Sequence, residues 1–250
     1  MHNISIKSLF IGKNLLFMSM CHSTNEYAES LINANNFFEG TTIVTFNQTK
    51  GKGQRGNTWQ SEPGKNLTFS IIIKPFFISI SQQFYLHIIT SLSVLKVFST
   101  LSPFFKVKWP NDIYWNNQKI GGILIENKLK INRIETCVVG IGLNINQADF
   151  HGLNATSLRN ILGKEVELEL ILAEILSSFE FYYLKLKQGG FTELYNEYLD
   201  NLYWKDEVRT FKSDNLFIGE IIGIDAFGKL KILIGSEVRS FDFKEIQFIE

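Results

Sequence analysis

Apolar residues recur with two different periods along the chain, and the period in each segment predicts a helix or a strand. In residues 81–99 apolar side chains repeat every three or four positions, which predicts a long amphipathic helix. The same spacing predicts helices after Ser23, over residues 165–187 and over residues 191–202. Short alternating or continuous apolar runs predict strands over residues 15–20, 41–46, 67–73, 105–109, 113–115, 119–127 and 138–146.

The pattern changes near Tyr203. Beyond it, polar turns containing Gly, Asn or Asp separate four short predicted strands, over residues 206–211, 217–224, 229–234 and 237–243. Such a series is typical of a small β barrel. We therefore predict two domains, one of helices and strands over residues 1–202 and a barrel over residues 203–250.

Composition restricts the class of protein. With 250 residues, of which 45% are hydrophobic, the chain can bury one substantial core and a small second domain. Its 25 Lys and Arg balance 25 Asp and Glu, so net charge does not direct it to nucleic acid. Cys21 and Cys137 lack metal-ligand spacing and are expected to be thiols in a reducing compartment. No apolar run reaches the ~20 residues of a membrane span, and no signal-peptide cleavage site is found, so we expect a soluble, cytoplasmic protein.

Residues 48–59 (Gln-Thr-Lys-Gly-Lys-Gly-Gln-Arg-Gly-Asn-Thr-Trp) combine three glycines with three basic side chains. Glycine allows the backbone to approach a ligand closely, so N–H groups can converge on phosphate or carboxylate oxygens, and Lys52 and Arg55 add positive charge. An anion-binding loop is one interpretation, and a mobile basic turn is the other. As an anion-binding loop, it is expected to be disordered without ligand and to close over the ligand as a lid.

The spacing of Gly51, Gly53 and Gly56 also matches the dinucleotide-binding fingerprint, which requires a helix directly after the loop. Here residues 57–66 contain a Pro-Gly pair and no helical period, and a predicted strand follows. The loop therefore joins two strands, which argues against a dinucleotide site. Protein kinases also carry a glycine-rich loop between strands, but the chain has neither His-Arg-Asp nor Asp-Phe-Gly.

Two further segments present polar side chains in a defined direction. Residues 23–26 (Ser-Thr-Asn-Glu) have the form of a capping box, and a helix N-terminus with two hydroxyls can also hydrogen-bond a polar ligand. Alternation in the strand 105–109 places Lys106 and Lys108 on one face. Pro110 ends that strand and so orients Lys108.

Glycines interrupt two apolar strands. Gly121 and Gly122 lie in one predicted strand, and Gly140 and Gly142 are spaced to leave one face of another strand bare. A β-bulge is an alternative explanation for the first pair. In a shared sheet the two strands would form a slot with a backbone floor, which would accept a flat or elongated apolar ligand.

Five segments, met in this order, make the chain resemble the biotin–protein ligases. They are residues 23–25 (Ser-Thr-Asn), the 48–59 loop, 108–112 (Lys-Trp-Pro-Asn-Asp), 121–126 (Gly-Gly-Ile-Leu-Ile-Glu) and 140–144 (Gly-Ile-Gly-Leu-Asn). The resemblance covers residues 15–249 and implies an α+β catalytic domain with a mixed β-sheet, as in class II synthetases, followed by an SH3-like barrel. The first predicted strand starts within ~20 residues of the N-terminus, too few for a winged helix-turn-helix, so the resemblance is to the short form without DNA-binding repressor function.

The resemblance also implies a reaction. In this family the biotin carboxylate attacks the α-phosphate of ATP, pyrophosphate leaves, and a lysine of a biotin carboxyl carrier protein then attacks the biotinyl-5′-AMP. Biotin and ATP are thus the expected substrates, with Mg²⁺ bound through the phosphates and no metal site on the protein. Lys108 matches the family's lysine that contacts the biotin carboxylate and the phosphoryl oxygen, so Lys108 is the predicted catalytic residue.

Other positions match the family's two ligand sites. The expected biotin-binding residues are Ser23, Thr24, Asn25, Gln48, Gly51, Lys52, Gly53, Gln54, Lys108, Gly121, Gly140 and Gly142. The expected nucleotide-binding residues are Lys52, Arg55, Asn57, Trp59, Asn111 and Asn144. Lys52, Gln54 and Asn57 depart from the family's arginine-rich form, which leaves the affinity for nucleotide open. For Trp59, packing against adenine and packing in the core are both open.

Two other interpretations stand beside this one. Lipoate–protein ligases share the fold and the chemistry, but they carry a glycine-rich signature with paired arginines that this chain lacks. A module that only retains biotin or its adenylate is the second, and Lys108 on the ligand face argues against it. The family often pairs catalytic domains along sheet edges, so a homodimer and carrier docking at an edge strand are further expectations.

Overall fold

A seven-stranded mixed sheet forms the centre of the molecule. In this computed structural model, which describes residues 5–249 except for the Arg55 side chain, its strands are β1 (Leu15–Met18), β2 (Thr42–Thr45), β3 (Leu67–Ile73), β4 (Phe105–Lys108), β5 (Asp112–Trp115), β6 (Gln118–Lys130) and β7 (Arg133–Leu143). Their spatial order is β1-β2-β3-β7-β6-β5-β4. β1 and β2 are parallel and the other neighbouring pairs are antiparallel, which confirms the predicted α+β class with a mixed sheet.

Five α-helices lie around this sheet in the described part of the chain. They are α1 (Thr24–Asn33), α2 (Phe84–Phe98), α3 (Leu158–Leu162), α4 (Leu168–Lys187) and α5 (Phe191–Asp200). α2 packs against α4, α5 and strands β4 to β6, whereas α1 packs against β2, β3 and β7. β3 is buried along its whole length because it contributes to both sides: Phe69 and Ile71 join the large core under α2 and α4, and Ile72 joins a smaller cluster under α1.

Two helices differ from the sequence-based expectation. α2 begins at Phe84, after a 3-10 turn over Ile80–Gln82, and is buried on nearly every side, so it is not the amphipathic helix predicted for residues 81–99. The sheet, α4 and α5 surround it, which leaves it no solvent-facing stripe. The short helix α3 was not predicted; Ser157 caps it by accepting a hydrogen bond from the Asn160 N–H at 3.2 Å. Within residues 5–249, no helix is both long and apolar enough to cross a bilayer.

The C-terminal residues form a second sheet. Its strands are β8 (Val208–Lys212), β9 (Leu216–Ile224), β10 (Leu230–Ile234), β11 (Glu237–Phe241) and β12 (Gln247–Ile249). They run antiparallel in the order β11-β10-β9-β8-β12, and β12 was not predicted. Within the described residues, no ladder joins β11 to β12, so the sheet is open and the predicted closed barrel is not confirmed.

Aromatic side chains join the two sheets. The Trp109 indole N–H donates to the Gly228 carbonyl at 2.8 Å, and its ring packs against Phe243 with 5.2 Å between centroids. Tyr203 packs in the same way against Tyr114 of β5, at 5.3 Å. These contacts hold the segment around Phe243 beside the cavity of the large sheet. The division at residue 203 stays a prediction, because the two parts share one core.

Candidate functional site

A cavity of about 240 Å³ lies over the middle of the large sheet, on the side of α1. The N-terminus of α1, the 48–59 loop, strands β5 to β7 and the segment at residues 243–244 enclose it. Most of the predicted site residues line it, namely Ser23, Thr24, Asn25, Gln48, Lys52, Gly53, Gln54, Asn57, Trp59, Asn111, Gly140 and Gly142. Segments that are far apart in the sequence thus meet at one place.

One end of the cavity is formed by the first turn of α1. Ser23 Oγ caps the helix by accepting from the Glu26 N–H at 3.5 Å, and the Thr24 N–H donates to Gln48 Oε1 at 2.9 Å. Glu26 does not complete the predicted capping box; its carboxylate instead pairs with Lys52 Nζ at 2.7 Å. This contact lowers the pKa of Glu26 and raises the pKa of Lys52. Both side chains are about half exposed, so the pair contributes little stability.

Glycines form the floor of the cavity, as the spacing predicted. Gly122 of β6 lies opposite Gly142 of β7, and Gly140 follows on the same face. A Cβ at Gly142 would lie 2.5 Å from Cε2 of Trp59, and one at Gly140 would overlap the side-chain amide of Asn25. The Trp59 indole therefore rests directly on the floor.

Gly121 is not part of this floor. It pairs with Ile113 and with Leu143, and a Cβ there would lie 2.6 Å from Cδ2 of Leu143, on the core side of the sheet. Gly121, which was predicted to bind biotin, therefore does not line the cavity, because side chains alternate along a strand and only one glycine of the pair can face it. That glycine is Gly122.

Two further predicted residues, Gly51 and Asn144, do not line the cavity. Within the loop, the Gly51 carbonyl accepts from the Trp59 N–H at 2.9 Å, and the Trp59 carbonyl oxygen occupies the space that a Cβ at Gly51 would need. Asn144 is buried, and its Nδ2 donates to the Thr156 carbonyl at 3.1 Å, so it fastens the end of β7 to the segment before α3. The predicted role of the Arg55 side chain lies outside the described residues.

Lys108 faces the predicted side of β4 but does not enter the cavity. Phe105 and Val107 are buried and Lys108 is half-buried, so the alternation is confirmed. However, Lys108 Nζ lies 3.2 Å from the Tyr114 hydroxyl, 4.5 Å from the centroid of that ring and 5.0 Å from that of Phe248. Electron-rich ring faces attract an ammonium group, which explains why the side chain leans toward the C-terminal sheet. The structure thus does not support Lys108 as the catalytic lysine.

Lys119 of β6 lines the cavity, where Lys108 was predicted to present its ammonium group. Its Nζ lies 2.7 Å from Asp112 Oδ1 and 5.9 Å from the centroid of the Trp59 ring, and both members of the ion pair line the cavity. A register shift explains its direction. β5 pairs Ile113 with Gly121 but the next residue, Tyr114, with Lys119, so the buried Ile120 is bulged. Lys119 and Gly122 therefore face the same side although they are three residues apart.

Comparison with known proteins identifies the family of this chain. The model of the biotin/lipoate A/B protein ligase family matches residues 17–144, just over half of the chain. The chain belongs to this family. The bifunctional ligase/repressor BirA of Bacillus spizizenii is 31% identical over 234 residues, which are 90% of this chain and 71% of that protein. The biotin–[acetyl-CoA-carboxylase] ligase of Paracoccus denitrificans is 26% identical over 185 residues, covering 71% of this chain and 76% of that protein.

A solved structure agrees with this ligase over nearly its whole length. The biotin protein ligase from Aquifex aeolicus in complex with biotin and ATP has a TM-score of 0.80 and 26% identity, and the match covers 95% of this chain and 99% of that chain. The predicted resemblance to the biotin–protein ligases is confirmed, and with it the prediction that the chain is a ligase enzyme.

Several residues that line the cavity of this ligase were not among those predicted to bind biotin or the nucleotide. They are Thr58, Thr68, Pro110, Asp112, Lys119, Gly122, Ile123, Leu124, Ile141, Phe243 and Lys244. A signal for Lys119 was available, since it is a cation two residues before the glycine pair. However, strict alternation of side chains from Gly122 predicts that Ile120 faces the cavity and that Lys119 faces away from it. Phe243 and Lys244 carry no such signal.

Proposed function

We propose that this chain activates biotin as biotinyl-5′-AMP and transfers it to a lysine of a biotin carboxyl carrier protein. The observation that carries the proposal is the cavity itself, which has hydrogen-bonding side chains at one end, a glycine floor in the middle and the Lys119–Asp112 ion pair lining it as well. The presence of biotin and ATP in the similar Aquifex aeolicus structure supports the same assignment.

The polar end suits the cyclic urea of biotin. A urea offers two N–H donors and one carbonyl acceptor, and Thr24 and Gln48 can match them with hydroxyl and amide groups. The floor at Gly140 and Gly142 has no side chains of its own, so a flat bicyclic ring system can lie close to the backbone. The valeryl chain would then extend along the floor toward Lys119.

Lys119 is the residue we assign to the adenylation step. A carboxylate oxygen of biotin forms a bond to the α-phosphorus of ATP while the bond from that phosphorus to the bridging oxygen breaks and pyrophosphate leaves. Both reactants are anions, so a fixed ammonium group reduces their repulsion and stabilises the charge on the phosphoryl oxygens. Asp112, at 2.7 Å, holds that ammonium in position.

The second step needs no further charged group from the protein. The uncharged amine of the carrier lysine attacks the acyl carbon, the C–O bond to the phosphate breaks, AMP leaves, and the proton that the amine loses passes to the solvent. Until then the adenylate must be kept from water. The 48–59 loop, with Lys52, Gln54, Asn57 and Trp59 on the cavity, is the segment that we propose closes over it.

The nucleotide is assigned to the side of the cavity between Trp59, Asn111 and the C-terminal segment. Phe243 and Lys244 reach the cavity there, which gives the C-terminal sheet a role in nucleotide binding. Mg²⁺ would arrive with ATP, bound by its phosphates, since the described residues offer no group of three His, Cys, Asp or Glu side chains for a metal.

We also propose that the open C-terminal sheet corresponds to an SH3-like domain and that this domain begins at residue 203. The large sheet has β1 and β4 at its edges, and we propose that one of these edge strands pairs two protomers.

Biotin-dependent exchange of labelled pyrophosphate into ATP tests the adenylation step, and transfer of labelled biotin to a carrier fragment tests the second. We expect both activities with biotin. Parallel assays with lipoate distinguish the other branch of the family, and turnover with lipoate but not biotin would overturn the proposal. Tight binding of biotin without exchange would show instead that the protein is only a binding module.

A further inference from the structure

Five polar side chains form one hydrogen-bonded chain beneath the polar end of the cavity. Glu126 Oε2 accepts from Asn25 Nδ2 at 2.7 Å, Asn25 Oδ1 lies 2.6 Å from Ser70 Oγ, and Ser70 Oγ lies 2.7 Å from Thr24 Oγ1. The Thr24 N–H then donates to Gln48 Oε1 at 2.9 Å. Thr24, Asn25 and Gln48 line the cavity, Ser70 is fully buried, and Glu126 closes the chain at its solvent-exposed end.

The outer end of this chain sets the orientation of Asn25. A carboxylate has only acceptor atoms, and so has the Leu124 carbonyl, which lies 3.4 Å from Asn25 Nδ2. Both acceptors therefore require the NH₂ group of Asn25 to face them, and its Oδ1 must face Ser70. Ser70 has one hydroxyl proton, and Asn25 Oδ1 takes it.

This orientation determines what Thr24 can offer a ligand. Because Ser70 has donated its proton, its oxygen can only accept from the Thr24 hydroxyl at 2.7 Å. The longer alternative, from Thr24 Oγ1 to Gln48 Oε1, is 3.3 Å, and that amide oxygen already accepts from the Thr24 N–H. Thr24 therefore presents lone pairs, not a proton, to the cavity.

We propose that Glu126 is a positioning residue that makes Thr24 a hydrogen-bond acceptor for an N–H of the biotin urea. It acts through Asn25 and Ser70, so it does not need to touch the ligand. The inference rests on the proposed function, and it explains a choice of substrate. A cyclic urea supplies the N–H that Thr24 needs, whereas the dithiolane ring of lipoate has none, and a site with an unmatched polar group rejects such a ligand.

The test measures the direction of the hydrogen bonds and not only their strength. The probes are biotin and its two cyclic carbamate analogues, in each of which one urea N–H is replaced by a ring oxygen. If Thr24 is an acceptor, the ligand ring position that faces it binds well with an N–H and poorly with a ring oxygen. In the wild-type protein, KM in the exchange assay should therefore be about tenfold or more higher for one of the two carbamates than for biotin.

Glu126→Lys reverses the end of the chain. An ammonium group only donates, so it attracts Asn25 Oδ1 and outweighs the Leu124 carbonyl, whose contact with Asn25 at 3.4 Å is the longer one. The Asn25 NH₂ group then faces Ser70, and every hydroxyl proton downstream points the other way. Thr24 then offers a proton to the cavity. KM for biotin should rise about tenfold, and the preference of biotin over that carbamate should shrink to about one or invert, while kcat changes little. Glu126→Gln, whose amide can accept or donate, should give an intermediate ratio.

Glu135→Lys is the matched control, because it makes the same charge change on the neighbouring strand β7, where Glu135 pairs only with Lys130 among the described contacts. It should keep the wild-type ratio. An unchanged ratio in Glu126→Lys, with cooperative unfolding retained, would overturn the inference. Should Glu126→Lys not fold, the ratio in Glu126→Gln decides in the same way. If the wild type catalyses biotin-dependent exchange but the Glu126 variants keep its KM ratio, only the role of Glu126 is disproved. If the wild type shows no biotin-dependent exchange, the proposed function itself is disproved.

Discussion

At the scale of single residues, two lysines on neighbouring regions of the sheet show how local geometry assigns a role. Lys108 and Lys119 face the same side, since Lys108 pairs with Asp112 and Lys119 with Tyr114 of the strand between them. Aromatic rings attract Lys108 toward the C-terminal sheet, whereas the carboxylate of Asp112 holds Lys119 in the cavity. The partner of each ammonium group therefore decides which lysine can meet a substrate.

Lys119→Ala should lower the rate of biotin-dependent pyrophosphate exchange by about 100-fold or more, because removal of one preorganised stabilising group costs about that factor. Lys108→Ala is the comparison. It should lose far less activity but reduce the free energy of unfolding by about 1 kcal/mol, as expected for the loss of a cation–π contact. A larger loss of exchange in Lys108→Ala than in Lys119→Ala would return the catalytic role to Lys108.

Gly142→Ala should displace the Trp59 indole, because the added Cβ would lie 2.5 Å from Cε2 of Trp59 and the sheet backbone cannot move away. We expect KM for biotin to rise about tenfold, together with a shift in tryptophan fluorescence. Gly140→Ala is the control for the shift in tryptophan fluorescence. Its Cβ would meet Asn25 instead, so it should raise KM for biotin without the same spectral shift. Identical spectra for Gly142→Ala and wild type would contradict the placement of Trp59.

At the scale of elements, the 48–59 loop has a fold of its own. The Trp59 N–H donates to the Gly51 carbonyl at 2.9 Å, and the Gly53 N–H donates to the Asn57 carbonyl at 2.7 Å. Between these bonds, Lys52 and Thr58 are paired by an antiparallel β-bridge. The loop is thus a small hairpin. Its base is held by hydrogen bonds from the N–H groups of Thr49 and Lys50 to the backbone before α1, and its tip is joined to α1 by the exposed Lys52–Glu26 pair. A tip held by an exposed contact can open while the base stays in place.

Biotin and ATP together should slow tryptic cleavage within residues 48–59 by about tenfold or more, because closure over the ligands removes local opening. Mass spectrometry of the fragments gives the rate at each site. Cleavage in the polar turn after Lys212, which is remote from the cavity lining, serves as the internal control and should not change. Equal protection of both segments would indicate general stabilisation and not a lid.

At the scale of the whole molecule, α2 connects the large core with the C-terminal sheet. Phe84, in its first turn, contacts Tyr198 of α5 with 5.9 Å between ring centroids and lies against Gly228. The adjacent His87 stacks on Phe84 at 5.4 Å and is buried, with no hydrogen-bond partner for its Nδ1 among the described residues. A charge at this position would therefore disturb both parts of the protein.

This environment predicts acid sensitivity. Burial lowers the pKa of His87 from 6.5 to about 4, so between these values the unfolded chain binds a proton that the folded chain does not. Stability should thus be fully present above pH 6.5 and fall as the pH decreases toward 4, by about 3 kcal/mol from this group. His87→Phe should flatten that part of the curve in denaturant titrations across the interval. The exposed His151→Gln is the control, and equal slopes for wild type and His87→Phe would contradict the assignment.

Much of the fold follows from neighbouring residues and was therefore predictable. The strand at residues 67–73 has the predicted bounds, α1 starts after Ser23, and Gly140 and Gly142 face the cavity together. Each of these depends on side-chain period or on capping, which act over a few positions along the chain. The order of the five family segments was also enough to recognise a ligase.

The remaining features depend on pairing between distant segments, which only the tertiary structure decides. The register shift between β5 and β6 bulges Ile120 and so turns Lys119 toward the cavity. The aromatic residues beyond position 200 attract Lys108 away from it, and the three-residue β12 exists because it pairs with β8. Which register or contact of this kind forms depends on energies across the whole fold, whereas periodicity depends only on the residues of one segment. The sequence by itself therefore determined most of the elements, the glycine floor and the family, and the tertiary structure determined which lysine meets the substrate.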